Sequence, residues 1–520
     1  MHKHLFAALL CVVQTLTGIH AQNVQISSAN YPSEPSIRMD PSRPAHIVAG
    51  SVLMNVYYSS DTGRTWSEGV MHSPYGVWGD PVLDVDTSGH FYYFHLSNPP
   101  SGNWIDRIVC QKSTDHGLTW SSGTYTGLNG TKAQDKHWSV VDRTHNRIYL
   151  TWTQFDEYGS SSPTDSSLIL FSRSADGGET WTDPRRINRI AGDCIDSDNT
   201  AEGAVPAVGP QGEVYVAWAG PGGIYFDRST DGGDTWLEQD IFVDPMPGGW
   251  DYEIPGIDRC NGLPVTACDL INGPYRGSIY INWTDQRNGS DDTDVWLCRS
   301  TDGGNTWSAP VRVNDDEPGK HQFLTWMAVD QTNGNLYFVF YDRREHNDRH
   351  TDVYLAWSFD GGQTFTNRRI SETPFLPVNG IFFGDYNNIT VHNNIVRPVW
   401  TRLHNGQLSI WTDITPFEIL TGSQPVEPDQ TGEDFTASHP NPATDKVWVS
   451  FKLHSESFVN IRLYDQEGKC VYTAIEGKRY SMGRHVVEIN TIAAGLKPGI
   501  YFCRMEYEGK EMTRKIVIAG

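Results

Sequence analysis

Residues 300–307 read STDGGNTW, one copy of a phrase, Ser-x-Asp-x-Gly-x-Thr-Trp, that starts again at Ser59, Ser113, Ser174, Ser229 and Ser358. Successive starts lie 54, 61, 55, 71 and 58 residues apart, and the last copy ends in Phe365 instead of Trp. A fixed phrase at such a period means one supersecondary unit stacked many times. Each copy follows a strand-like run, such as IVCQKS before Ser113 or DVWLCRS before Ser300, and precedes another short extended run. The phrase is therefore the turn of a hairpin. Its Ser and Asp can hydrogen-bond turn amides, its Gly supplies a φ > 0 position, and its Trp begins the next strand as a buried anchor. These aspartates read as structural.

A second phrase precedes each copy by two strands: an extended run, a short polar turn, then an aromatic-rich run. Examples are PVLDVDTSGHFYYFHL, HWSVVDRTHNRIYLTW, VPAVGPQGEVYVAW and TWMAVDQTNGNLYFVFY. With PVTACDLINGPYRGSIYINW and the end members PSIRMDPSRPAHIVAG and NITVHNNIVRPVW, seven first strands are counted. Each unit then has four strands, A to D, with the phrase in the C–D turn. The seventh unit lacks the phrase. Its fourth strand could come from NVQISS at residues 23–28, which would remove exposed sheet edges.

The six phrases make the chain resemble the Asp-box (BNR-repeat) β-propellers, the superfamily that includes the sialidases, xyloglucanases, sortilin-type receptors and assembly factors. The expected fold is all-β: an Asp-box β-propeller over residues 22–415, with seven four-stranded blades predicted and six, the sialidase number, as the alternative. Residues 416–437 are rich in Pro, Gly, Ser, Thr and acids and read as a linker. From Ser438 to Gly520 the landmarks HPNPATDKVWVSF, VNIRLYDQEGKCV, LKPGIYFCRM and KIVIAG predict a small β-sandwich. They resemble the C-terminal sorting domain of type IX secretion in Bacteroidota. That resemblance implies export across the outer membrane, the type IX machinery as partner, and removal of the domain with release or surface attachment.

The start fits export. MHKH is a short basic segment, Leu5 to Val13 is apolar, and cleavage is expected after Ala21, so residues 1–21 read as a signal peptide. No later stretch is long and apolar enough to span a bilayer as a helix. Lys and Arg number 40 against 63 Asp and Glu, and the net charge of −23 argues against nucleic acid and anionic membranes as partners. Without Cys11, seven cysteines remain. Cys260 could pair with Cys268 and Cys470 with Cys503, and no Cys/His spacing suggests zinc.

The repeat phase assigns loops to faces. A–B turns are minimal and C–D turns are Asp boxes, so the long irregular D–A and B–C loops gather at the opposite face, where function is expected. Those loops carry acids, arginines and aromatics, the composition of a glycan site. A sialidase resemblance implies a tyrosine nucleophile with a glutamate partner, an aspartate acid and an arginine clamp on the substrate carboxylate. The candidates are Asp80, Glu202, Asp342 and Tyr386 for catalysis, with Asp135, Tyr252 and Glu253 as alternates. Arg259, Arg287, Arg343, Arg402, Trp78 and Trp138 are the substrate-binding candidates, with Arg344 as a further arginine. The sialidase Arg-Ile-Pro phrase is absent; Ser36-Ile37-Arg38-Met39 is the nearest feature. Asp285 and Asp342 occupy equivalent B–C positions, which reads equally as repeat structure or chemistry. His137 and His321 read as loop anchors. No cofactor is required, but the acidic loops Asp196-Asp198-Glu202 and Asp291-Asp292-Asp294 could hold a structural calcium.

Three functions follow from these readings. The first is a secreted, sialidase-like glycoside hydrolase acting on extracellular glycans or glycoproteins. The second is a non-catalytic surface propeller binding glycan or protein. The third is an endo-acting polysaccharidase with a carboxylate pair across an open cleft.

Overall fold

A computed structural model describes residues 21–417, 435–439, 443, 446–453, 455–480 and 483–518. The signal peptide, apart from Ala21, and most of the expected linker lie outside the described residues. The described chain divides into two compact units, 1–423 and 424–520.

In the first unit, seven four-stranded antiparallel sheets follow one another. Their first strands are Ser36–Met39, Gly79–Val85, Ala133–Asp142, Glu202–Val208, Val265–Cys268, Gln322–Val329 and Asn388–His392. Each packs against the next, and the seventh packs against the first, so they form a closed ring around a channel. The unit is an Asp-box β-propeller. In six sheets the four strands follow chain order; the seventh is completed from the other end of the chain. Asn23–Ser27 pairs antiparallel with Gln407–Asp413, Asn23 opposite Asp413. The Asn23 amide side chain also donates to Ile370 O at 2.8 Å, tying this strand to the sixth blade.

The Asp boxes repeat to within tenths of an ångström. In each, the Ser hydroxyl donates to Asp Oδ1 at 2.7–2.8 Å. The box glycine amide donates to the Ser oxygen at 2.8–2.9 Å. The Thr hydroxyl donates to Asp Oδ2 at 2.5–2.7 Å. Glycine is required twice over at Gly304. Its φ is +89°, and a methyl group there would overlap the Phe226 ring of the preceding blade. At three boxes the arginine just before the serine reaches forward to the next box. Arg299 Nη1 donates to Gly361 O at 2.8 Å, and Arg173 and Arg228 bond Gly232 O and Gly303 O in the same way. The boxes are thus inter-blade joints, and their aspartates are occupied.

In the second unit, a three-stranded sheet holds Phe435–His439, Lys446–Leu453 and Gly483–Asn490. A four-stranded sheet holds Cys470–Tyr480, Ser457–Tyr464, Gly499–Tyr507 and Lys510–Ile518. Val447, Val449, Phe451, Ile461, Met505 and Ile516 belong to their shared core. The two proposed disulfides are not formed. Cys260 packs among Tyr252 and Phe323, whereas Cys268 packs in a separate cluster with Tyr215 and Ile279. Cys503 is buried in the second core and Cys470 is exposed. All seven described cysteines are free thiols.

Candidate functional site

The first strands carry a repeated irregularity where they enter the channel. Register shifts fall between Gly79 and Val82, Asp135 and Trp138, Glu202 and Val205, and Phe323 and Trp326. Each is a β-bulge, and its first extra residue adopts positive φ: Asp80 at 51°, Lys136 at 46°, Gly203 at 71° and Leu324 at 49°. Glu34 occupies the corresponding place before the first blade, at 52°. Non-glycine residues rarely hold this conformation, and bulges re-aim side chains. Here they place Asp80, Lys136 and Leu324 in a ring of residues at the channel mouth. Glu34, Asp80 and Lys136 make that ring polar on one side; Leu263, Leu324 and Tyr386 make it apolar on the other.

Lys136 anchors the polar side. Its Nζ lies 2.9 Å from Asp385 Oδ2, 3.5 Å from Asp80 Oδ2 and 4.0 Å from Asp135 Oδ1. Arg259 comes from the hairpin formed by Asp251–Ile254 and Ile257–Asn261. Its guanidinium spans Asp385, at 2.9 Å, and Asp196, at 3.0 Å. The Tyr158 hydroxyl donates to the other side of the group, at Asp196 Oδ2. Glu34 Oε1 accepts from the Asp385 amide at 3.2 Å. Glu202 is fully buried, and neither of its carboxylate oxygens has a hydrogen-bond partner in the protein.

Six carboxyl groups thus share two cations, and their proton affinities separate. Burial, then Asp196, pushes Glu202 well above the usual carboxylate range. Burial, then Asp80 and Asp385, does the same to Glu34. Asp135 is raised to about 7, chiefly by burial, with Lys136 opposing and Asp80 and Asp196 adding. Burial also works against ionised Asp385, but Lys136 and Arg259 outweigh it and hold the carboxyl below the usual range. Burial would lower Lys136; Asp135, Asp385 and Asp80 reverse that and keep it protonated. Neighbouring acids kept protonated and ionised are the raw material of acid–base catalysis. Among the described residues, no three or more His, Cys, Asp or Glu side chains are arranged to hold a metal, the two acidic loops included.

Beside this group lies an aromatic row. Trp78 is 38% exposed and Trp104 41% exposed. Trp104 meets Trp78 edge-on at 5.8 Å and Tyr158 edge-on at 5.4 Å. The row therefore runs from solvent to the phenol that bonds Asp196. Exposed indoles next to carboxylates can cover the apolar faces of sugar rings. The Arg259 hairpin also supplies Glu253 and Asp258 to a wider basin of about 640 Å³, with Asp291, His321, Arg349 and Asn379.

The expected residues separate into two sets. Asp80, Glu202, Tyr386, Arg259, Trp78 and Trp138 come to the channel mouth. Trp138 is a plug: its ring lies 4.2 Å from Trp326 and 5.1 Å from Tyr386. Tyr386 is buried, and burial, then Asp80 and Glu34, pushes its phenol well up, so the hydroxyl keeps its proton. The other set is tied to its own loops and to neighbouring ones. Asp342 accepts from the Arg344 amide at 2.7 Å and from Arg344 Nε at 2.8 Å. Asp285 does the same for Arg287, at 3.1 and 2.9 Å. That shared geometry makes the equivalence of the two aspartates a repeated loop structure. Arg287 also pairs with Asp244 at 2.6 Å. Arg343 donates to Pro255 O at 2.8 Å and Thr351 Oγ1 at 3.0 Å, and burial lowers it to about 10. Arg402 donates to Thr373 Oγ1 at 2.9 Å. These arginines do not converge. Tyr252 is buried, with its hydroxyl bonded to Thr284 and to Asn261 O. Burial lowers His137 to about 3 and His321 to about 4.

Lys136, Glu34 and Asp385 are the members that sequence reasoning passed over. The signal that could have found them is positional. Each lies at or beside the residue two before the channel-facing Ser36, Trp138 and Asn388, so aligning the repeats on their first strands lines them up.

Comparison with known proteins bears on the two units separately. Residues 438–519 match the family of secretion system C-terminal sorting domains. The C-terminal unit is a type IX sorting domain. This sorting domain marks the chain as exported by type IX secretion, so it is secreted or held at the cell surface. Among the described residues, no helix is long and apolar enough to cross a membrane. Among curated proteins, xyloglucanase Xgh74A of Acetivibrio thermocellus is 26% identical over 361 residues, 66% of this chain and 33% of that protein. The chain thus spans about a third of the length of that curated relative. Among solved structures, the Hadza microbial sialidase Hz136 is 15% identical with a TM-score of 0.41, over 71% of this chain and 72% of that one. An ulvan lyase of polysaccharide lyase family 25 is 12% identical with a TM-score of 0.45, over 75% and 95%.

Proposed function

We propose that the chain is an exported glycan-acting hydrolase whose site is the charge cluster at the channel mouth, approached along Trp78 and Trp104. One observation carries this reading: Lys136 bridges Asp80 and Asp135 while Asp135 binds its proton with a pKa of about 7. An ammonium within 4.0 Å of both carboxyl groups keeps them closer than the roughly 9.5 Å upper limit for paired glycosidase carboxylates. Asp135 would give a proton to the leaving oxygen; Asp80, the more accessible of the two, would act on the opposite side of the sugar. Lys136 would fix both and Arg259 would hold Asp385 and Asp196 out of the reaction. The activity in the name of the A. thermocellus relative supports a polysaccharide substrate.

A sialoside finds less here. Arg259 is the single expected clamp arginine at the cluster and is already paired with two aspartates, and Tyr386 holds its proton. A neutral glycan therefore fits better than an anionic one. A second reading, binding without turnover, is favoured by the tightness of the site: the cavity reaching Lys136 and Asp385 is about 20 Å³, room for roughly one water. Assaying the full chain against xyloglucan, a sialoside and aryl glycosides separates these readings. Turnover of a neutral glycan that is lost in Asp135→Asn supports the hydrolase. Saturable glycan binding without turnover of any substrate replaces it with the second reading.

A further inference from the structure

The first strands of all seven blades wall a second cavity, of about 390 Å³, separated from the charge cluster by Trp138 and Trp326. Its volume falls in the roughly 300–1,000 Å³ range of small-molecule sites. Its middle is formed by Val140, Ala207, Ala267 and Ala328, with Asp84 at the same level in the second blade, and the two indoles form its floor beside Val82. Toward the A–B turns the lining gains two guanidinium groups, Arg38 and Arg143, and His392, whose proton affinity burial lowers.

The two guanidinium groups stand against a chain of net charge −23. Asp84 is the acid among the lining residues, 3.3 Å from Arg38 Nε. The other aspartates at this end accept from amides of their own turns through one oxygen, and Asp40 and Asp86, with Asp84, also act on the Arg143 charge. Asp40 accepts from Ser42 N at 2.8 Å, Asp86 from Ser88 N at 2.8 Å, Asp142 from Thr144 N at 2.9 Å and Asp330 from Thr332 N at 3.0 Å. Arg143 spends one Nη donor on Val85 O, at 3.0 Å, and Arg38 spends Nε on Leu83 O, at 3.3 Å. Both guanidinium groups keep donors beyond these bonds. Two planar forks beside an apolar shaft suit an anionic head on an apolar body.

We propose that this cavity binds a small organic anion, an aromatic or aliphatic carboxylate or sulfonate, with its head on Arg38 and Arg143 and its body running down to Trp138 and Trp326. The site is independent of the hydrolase reading, because the indole plug lies between the two. The probe is 1-anilinonaphthalene-8-sulfonate, titrated into the full chain by fluorescence and calorimetry, with thermal melts to show that each variant is folded. We expect one saturable site per chain. The pair Arg38→Ala/Arg143→Ala should weaken it at least tenfold, and Arg38→Lys/Arg143→Lys should keep most of the affinity. Ala328→Trp, which fills the shaft, should abolish it. 4-Phenylbutyrate should displace the dye at concentrations where 4-phenylbutanol does not. Absence of a saturable site in the wild type overturns the proposal. Equal affinity in wild type, the alanine pair and Ala328→Trp overturns it too.

Discussion

Two populations of carboxylates share this propeller and behave in opposite ways. Those of the Asp boxes sit at the periphery, each fed by a Ser hydroxyl, a Thr hydroxyl and the Thr amide. For Asp302 the Thr306 hydroxyl leads these donors, and the pKa falls to about 2; Asp231 also falls to about 2, slight burial being outweighed by Thr235 and Ser229. Those of the channel mouth have been drawn out of water with too few donors, and Glu34, Asp135 and Glu202 move upward. The residue type is shared; what differs is whether the surroundings supply hydrogen bonds in step with the loss of water. The first arrangement joins blades. The second leaves protons available for transfer.

The comparison can be broken in order of effect. Asp135→Asn or Asp80→Asn should lower kcat on a neutral glycan by about 10²–10⁴-fold, the usual contribution of a positioned acid or base, while Asp302→Asn leaves kcat unchanged; equal losses would erase the distinction. Gly304→Ala should cost about 3 kcal/mol, from overpacking against Phe226 and a strained φ, measured by denaturant titration. Its activity at low temperature should survive. Asp302→Ala should cost about 1 kcal/mol, the net worth of hydrogen bonds at an exposed turn.

The smallest effect is in the pH dependence of stability, and its sign differs between the populations. Asp135 binds its proton more tightly folded than unfolded. Its contribution is present below pH ~4 and disappears as pH rises through about 7. Asp231 and Asp302 contribute above pH ~4 and lose that contribution as pH falls toward 2. Thermal melts of Asp135→Asn should therefore lose part of the decline between pH 4 and 7, and those of Asp302→Asn part of the decline below pH 4. Parallel curves for both variants would contradict the assignment.

Much of the fold was legible because the Asp box is a local device. Its serine, aspartate, glycine and threonine bond one another within eight residues, so spacing alone reveals the hairpin and its phase. The strand supplied by residues 23–27 could be inferred because the last blade visibly lacked a fourth strand. The site was harder to read. Asp80, Glu202, Arg259 and Tyr386 stood out as loop residues, but Lys136 looked like one more charge in AQDKHWS. Its importance depends on a positive φ that aims it inward and on two carboxylates contributed from other blades, Asp80 and Asp385, besides its own neighbour Asp135. Arg287 and Arg343 looked no different in sequence from Arg259. Each had its own partner within reach, Asp285 or Pro255 O, and nothing in a linear spacing reports that. The cysteines misled for the same reason: eight residues apart, Cys260 and Cys268 enter different packing clusters.

The terminal strand that finishes the seventh blade ties assembly to chronology. Residues 23–27 have no strand to pair with until residues 407–413 are in place. The seventh blade is completed by contacts nearly four hundred positions apart in the chain, and such distant pairing makes for slow acquisition of the native state. A propeller shortened before Gln407 would keep its six boxes but leave residues 23–27 without the strand they pair with.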